Sequence, residues 1–179
     1  FTAARARNAG FDALDAPDIV QFIDGDCALT EGWLATGAAR LHADDGLGLV
    51  TGWRVEKFPE ASLYNRLMDW EWRRPAGPIT VCSGDMMVRA TIWRDLGGMA
   101  PDMIAGEDED FCLRVAQAGW PLERLPYEMT RHDAAMTRFA QWWKRSVRGG
   151  HAYAELEARH PGHAAREQRR AVVYGAVLP

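Results

Sequence analysis

Lysine is almost missing from this chain: there are two, against 19 arginines, a bias that base composition explains without arginine-specific chemistry. Cysteine is scarce too. Cys27, Cys82 and Cys112 are odd in number, far apart and set among apolar residues. That excludes a disulfide framework and a zinc-ligand pattern, and leaves them as small buried hydrophobes. No apolar run reaches about 18 residues, so the chain as given holds no complete membrane span. There is no excess of positive charge: the net charge is −4 and the pI near 5.7, which argues against a general nucleic-acid binder. Repeats and low-complexity linkers are also lacking. What remains is 179 residues, 47% hydrophobic and 26% charged, enough for one domain with a core that needs no staples. The chain opens on Phe1 without an initiator Met or a signal-peptide core, and it closes on the apolar run Val172–Leu178 before Pro179. Both ends read as cut, and the expectation is a fragment of a longer protein.

Charge is unevenly spread. Residues 1–137 hold 13 Lys/Arg against 22 Asp/Glu, whereas residues 138–179 hold 8 against 3. An acidic body followed by a basic, Trp-containing tail and an apolar run resembles a juxtamembrane segment on the cytoplasmic face of a membrane. A solvated arginine-rich helix is the plainer alternative. The expected boundary lies between 137 and 138.

Local patterns predict helices over 2–14, 31–43 (with Thr30 as N-cap), 61–72, 91–96, 107–118 (stopped by Gly119) and 137–159, the last bent near Gly149-Gly150. Extended segments are predicted over 18–24, 47–55, 79–82, 86–89 and 122–129. Alternating strands and helices imply an α/β fold with a mostly parallel sheet flanked by helices. In such sheets ligands bind beyond the carboxyl ends of strands.

Asp24-Gly25-Asp26 stands at one such end, after the apolar Ile19–Ile23. Two carboxylates crowded there call for a cation, and Mg²⁺ or Mn²⁺ can bridge them to a diphosphate. Gly25 lets backbone approach the ligand. Gly106-Glu107-Asp108-Glu109-Asp110 opens a helix. The helix dipole accounts for part of this acidity. The Asp110–Arg114 spacing is an i,i+4 pair, which frees Asp108 to act as a general base.

These pieces follow a recognisable order: Arg7-Asn8-Ala9-Gly10, Phe22–Asp26, Gly32-Trp33-Leu34, Ser83–Arg89, Leu96-Gly97-Gly98, Gly106–Arg114, Ala118-Gly119-Trp120 and His132. Over about residues 5–145 the chain resembles the family 2 glycosyltransferases of GT-A fold. The resemblance implies inverting transfer of a sugar from a nucleotide-diphosphate sugar, UDP- before GDP-linked, to a sugar or lipid-linked acceptor hydroxyl. Mn²⁺ or Mg²⁺ would assist, and exopolysaccharide or glycolipid synthesis is the implied setting. It assigns Asp26, Asp24 and His132 to the metal, and Arg7, Asn8, Asp24, Gly25 and Asp26 to the donor. Asp108 becomes the catalytic base. Ser83, Gly84, Asp85 and Glu107 line the donor sugar and acceptor, with Trp142 and Trp143 available for stacking. The chain departs from the family in two places. A first nucleotide-binding strand would have to precede residue 1. Gln141-Trp142-Trp143-Lys144-Arg145 lacks the Arg-Trp pair of processive relatives, which implies single-sugar transfer. Two other readings are a non-catalytic sugar-nucleotide-binding module and a haloacid-dehalogenase-type phosphatase. The latter wants Thr or Val where Ala28 stands.

Overall fold

Strands as apolar as these need cover on both faces. In the computed structural model, which describes residues 2–177, they have it. The order is α1 (Ala3–Asp12), β1 (Ile19–Phe22), β2 (Cys27–Leu29), α2 (Trp33–His42), β3 (Leu49–Glu56), α3 (Leu63–Trp72), β4 (Gly77–Ile79), β5 (Met86–Arg89), α4 (Ala90–Asp95), α5 (Glu107–Gln117), β6 (Leu122–His132), α6 (Phe139–Arg159) and α7 (Ala165–Val172). A 3-10 turn at Pro59–Ala61 precedes α3, and a π-helical turn at Val173–Val177 follows α7. Alternation along β5 sorts the core: Met86 and Val88 join Phe11, Phe22, Trp93 and Phe111 on one face, while Met87 joins Trp33, Leu41 and Met129 on the other. Helices α1, α4 and α5 thus cover one side of the sheet and α2 the other.

The sheet runs β1-β5-β3-β6-β2, with β4 also paired to β6. This is the expected α/β class. The expectation of mostly parallel pairing needs correction. Among the described residues only β3 and β6 pair in parallel; the other four pairings are antiparallel. The reasons are β5, which enters reversed between β1 and β3, and the short strands β2 and β4, which both run against β6. β1, β3 and β6 still point the same way, so their carboxyl ends open on one side of the sheet.

Two local expectations also change. Thr30 does not cap α2: its hydroxyl donates to the Glu128 carbonyl, and the helix starts after Gly32, whose φ is +81°. Helix α6 continues unbroken through Gly149-Gly150 for 21 residues. Its later residues Ala152 and Leu156 are buried against Gly106, which holds it on the body. Gly119 does stop α5, in a Schellman turn: its N–H donates to Ala116 O and that of Trp120 to Val115 O. No helix among the described residues is long and apolar enough to cross a membrane. The proposed start of an apolar segment at Val172–Leu178 ends outside the described residues, while Val172 and Tyr174 are exposed.

Where β3 passes β6, Gly52 is pressed on its side-chain face. A Cβ there would lie 2.6 Å from Met129 Cβ and 2.7 Å from the Tyr127 carbonyl oxygen. Backbone cannot give way as a flexible side chain can, so Gly52→Ala is expected to cost about 2 kcal/mol of stability, read from urea denaturation midpoints.

Candidate active site

Asp24 lies just past β1, and both its carboxylate oxygens are engaged. Arg7 of α1 binds Oδ1, and Arg54 of β3 binds Oδ2 at 2.8 Å. Arg7 also reaches Glu107 at 3.1 Å, which ties α1, β1 and the start of α5 together. Arg54 continues to Asp85, with Nε at 3.0 Å. Asp85 is fully buried and its charge is answered from several directions: the Asp24 N–H at 2.8 Å, the Thr130 hydroxyl at 2.8 Å, the Cys27 thiol at 3.3 Å and Arg54. Burial and the Asp85 carboxylate push the Cys27 thiol far above its ordinary pKa, so it stays protonated and donates. Such a network is stable because each buried charge meets an opposite charge or a donor.

Asp26 is free of these arginines. Its Oδ2 lies 3.2 Å from His132 Nε2, at the end of β6. The imidazole is largely buried, Trp72 packs edge-on against it at 4.7 Å, and Nδ1 is buried without a hydrogen-bond partner among the described residues. Asp26, Cys27 and His132 could converge on one ion. With the thiol protonated, the chemically apt donors are the carboxylate and the imidazole, a pair that suits a divalent cation. Asp24, the other expected metal ligand, falls in a second possible group with Cys27 and Asp85, and its oxygens already bind Arg7 and Arg54.

Asp108 sits in the first turn of α5, where its Oδ1 accepts the Glu109 N–H. Burial, then the neighbouring Glu107 and Glu109 carboxylates, raise its pKa to about 7. Asp110 is drawn away by Arg114 at 2.9 Å and His160 at 2.9 Å, as the i,i+4 spacing implied. Asp108 stands where three cavities meet. One of about 450 Å³ also holds Arg7, Asp24, Gly25, Asp26 and Arg148. A second of about 550 Å³ holds Ser83, Arg54, Trp72, Arg74 and Arg124. A third of about 660 Å³ lies between α3 and α6 and is lined by Trp142 and Tyr153.

The remaining expected site residues divide. Ser83 faces the second cavity, Trp142 the third, and Glu107 and Gly25 the first. Asn8 does not reach any of them: its amide is spent on both backbone groups of Met99. Asp85 positions Asp24 and Arg54 from within the core rather than lining the donor pocket, because a fully buried carboxylate cannot meet substrate. Gly84 serves by close approach; a Cβ there would lie 2.1 Å from Arg7 Nη2. Trp143 is turned outward, 56% exposed, and stacks on Phe139. Arg54 and Thr130 carry no local signal, since one arginine among 19 in a strand stands out only once the chain is folded.

No protein-family model matches the chain. Proteins named Pre-mycofactocin glycosyltransferase, from two strains of Mycobacterium tuberculosis, are 32% identical to it over 169 residues. The match takes in 88% of this chain, which spans about a third (35%) of the length of those curated relatives. Among solved structures, a mycobacterial protein superposes with a TM-score of 0.59 at 14% identity, over 88% of this chain and 51% of its own. S. aureus TarS 1-349 superposes with a TM-score of 0.55 at 13% identity, over 74% and 40%. The chain is thus homologous to proteins named as glycosyltransferases and shares the fold of these structures. That fold sets aside the haloacid-dehalogenase reading.

Two outcomes follow from the electrostatics. Arg54→Met strips the buried Asp85 of its cation and is expected to cost about 3 kcal/mol in denaturant unfolding. Asp108→Asn acts in the opposite direction. A folded-state pKa raised to about 7 means that the native protein gives up stability as pH rises from the ordinary carboxylate range through 7. The amide variant should therefore melt a few degrees above wild type at pH 8 and close to it at pH 4.

Proposed function

We propose that this chain carries the transfer centre of an inverting, metal-dependent glycosyltransferase that adds single sugars. The observation that supports it most is that Asp24, Asp26 and Asp108 line one cavity, with Asp108 raised to about 7. A nucleotide-diphosphate donor, UDP- or GDP-linked, would enter on the Asp24–Asp26 side. Asp26 and His132 would hold Mn²⁺ or Mg²⁺, which supplies positive charge against a diphosphate. Arg7 and Arg54 keep Asp24 fixed and neutralised, so that it can accept hydrogen bonds from the donor without repelling its phosphates.

Asp108 takes the proton of the acceptor hydroxyl while that oxygen bonds to the anomeric carbon. The bond from that carbon to the diphosphate oxygen breaks on the opposite face, and the configuration inverts. A carboxylate of pKa about 7 suits this task, being half ionised at neutral pH and a stronger base than an ordinary aspartate. The absence of an Arg-Trp pair after Gln141 supports single transfer. The acceptor is read as a sugar or lipid-linked hydroxyl, in exopolysaccharide or glycolipid synthesis or of the kind the relatives' name denotes. The basic segment 138–179 supports contact with anionic headgroups on the cytoplasmic face of a membrane.

Asp108→Asn is expected to lower sugar transfer by about 10³-fold while leaving UDP affinity within twofold, measured by transfer of labelled sugar and by calorimetry. The wild-type rate should rise with pH through about 7 and then level. Wild-type turnover by the variant would overturn the assignment.

A further inference from the structure

The second cavity, which meets the first at Asp108, holds four arginines: 54, 74, 124 and 145. Two are neutralised, Arg54 by Asp24 and Asp85, and Arg145 by Glu71 at 3.1 Å. Among the described residues, Arg74 and Arg124 form no ion pair with a carboxylate. Arg124 is partly buried near the start of β6, and the single hydrogen bond of its guanidinium among those residues runs from Nη1 to the Pro75 carbonyl at 3.2 Å. Arg74 ends the turn after α3, and its carbonyl accepts the Trp53 indole N–H at 2.9 Å. The backbone that carries Arg74 is therefore fastened by one bond from β3 and, at the next residue, by one from β6. Both side chains line the one cavity, and burial, with a smaller contribution from the nearby Arg74 charge, lowers the pKa of Arg124. Four acidic side chains also line this cavity: Glu71 is paired with Arg145 and Glu109 with His163, while Asp108 stands at the junction and Glu167 on α7. Arg124 is the partly buried member of the pair and Arg74 the exposed one; a partly buried cation with no carboxylate partner among the described residues is stabilised by an anion entering the cavity. Paired guanidinium groups match carboxylate or phosphate oxygens.

We propose that Arg74 and Arg124 form an anion-recognition site for an acidic acceptor, gripping a carboxylate or phosphate group while a neighbouring hydroxyl is presented to Asp108. This rests on the glycosyltransferase reading and deepens it: the acceptor class becomes acidic sugars or phosphorylated carriers. The donor's diphosphate is a second source of the same chemistry, and it would be met instead on the Asp24–Asp26 side.

The test uses methyl glucuronide and inorganic phosphate as anionic probes, methyl glucoside as the neutral control and UDP with Mn²⁺ as the donor probe. Binding is followed through the indole N–H signal of Trp72, which lines the cavity, in ¹⁵N-resolved spectra. Both anions, and not the glucoside, should shift that signal saturably. Arg74→Gln with Arg124→Gln should weaken the anions at least tenfold while UDP affinity stays within twofold. Arg74→Gln alone, at an exposed side chain, serves if the double variant does not fold, with a loss of about threefold. Unchanged anion affinity in the variant overturns the proposal. So does displacement of the anions by UDP with a parallel loss of UDP affinity, which would make the arginines part of the donor site. Failure of UDP to bind wild type while the anions still depend on Arg74 and Arg124 counts against the transferase reading and leaves the anion site standing.

Discussion

Everything at the mouth of the sheet depends on one arrangement of charge: two arginines from different elements clamp the carboxylate of Asp24, and one of them also neutralises the buried Asp85. Carboxylates pressed into a crevice repel one another and resist desolvation. Arg7 from α1 and Arg54 from β3 remove that cost, and in doing so they join α1, β1, β3, the Ser83–Asp85 loop and, through Glu107, the head of α5. Gly84 belongs to the same constraint, because only a residue without Cβ leaves room for the Arg7 guanidinium. The charge network that steadies the fold is therefore also the wall of the proposed donor pocket.

Two acidic residues are left out of this neutralisation. Asp26 faces His132, whose other ring nitrogen is buried and unpartnered among the described residues, and Asp108 has its proton affinity raised by burial and by its own neighbours. Asp108 is poorly placed for stability and well placed for chemistry, as is common where a site needs a group held in an unrelaxed state, whereas Asp26 is open to solvent. The adjoining Asp110 shows the contrast: two residues further along the same helix it is paired with Arg114 and His160 and is purely structural. Helix phase separates the two roles.

The motifs were legible because they are local. Apolar Ile19–Ile23 before Asp24-Gly25-Asp26, four acids after Gly106 and a stop at Gly119 each announce an element end and what stands there. The segments of α3 and α5 and the strands β1, β3, β5 and β6 fall close to their expected places for the same reason. What was not legible depends on pairing at a distance. The reversed β5, with β2 and β4 running against β6, makes the sheet mixed. Thr30 gives up a cap to bind Glu128, and Gly149-Gly150 does not bend α6 because residues further on dock against Gly106.

By itself the sequence determined the alternation of strands and helices, the place of the two acidic motifs at element ends, and the i,i+4 bond that frees Asp108. All of these follow from spacing along the chain. Only the tertiary structure decided which carboxylates are neutralised and which stay available. That depends on arginines 17 to 31 residues away in the chain, Arg7 from Asp24 and Arg54 from Asp85, brought within hydrogen-bond reach. It also separated Asn8 and Asp85, which hold the framework, from Asp26 and Asp108, which face the cavity. The physical reason is that burial and charge compensation belong to the packed molecule, and no residue carries them alone.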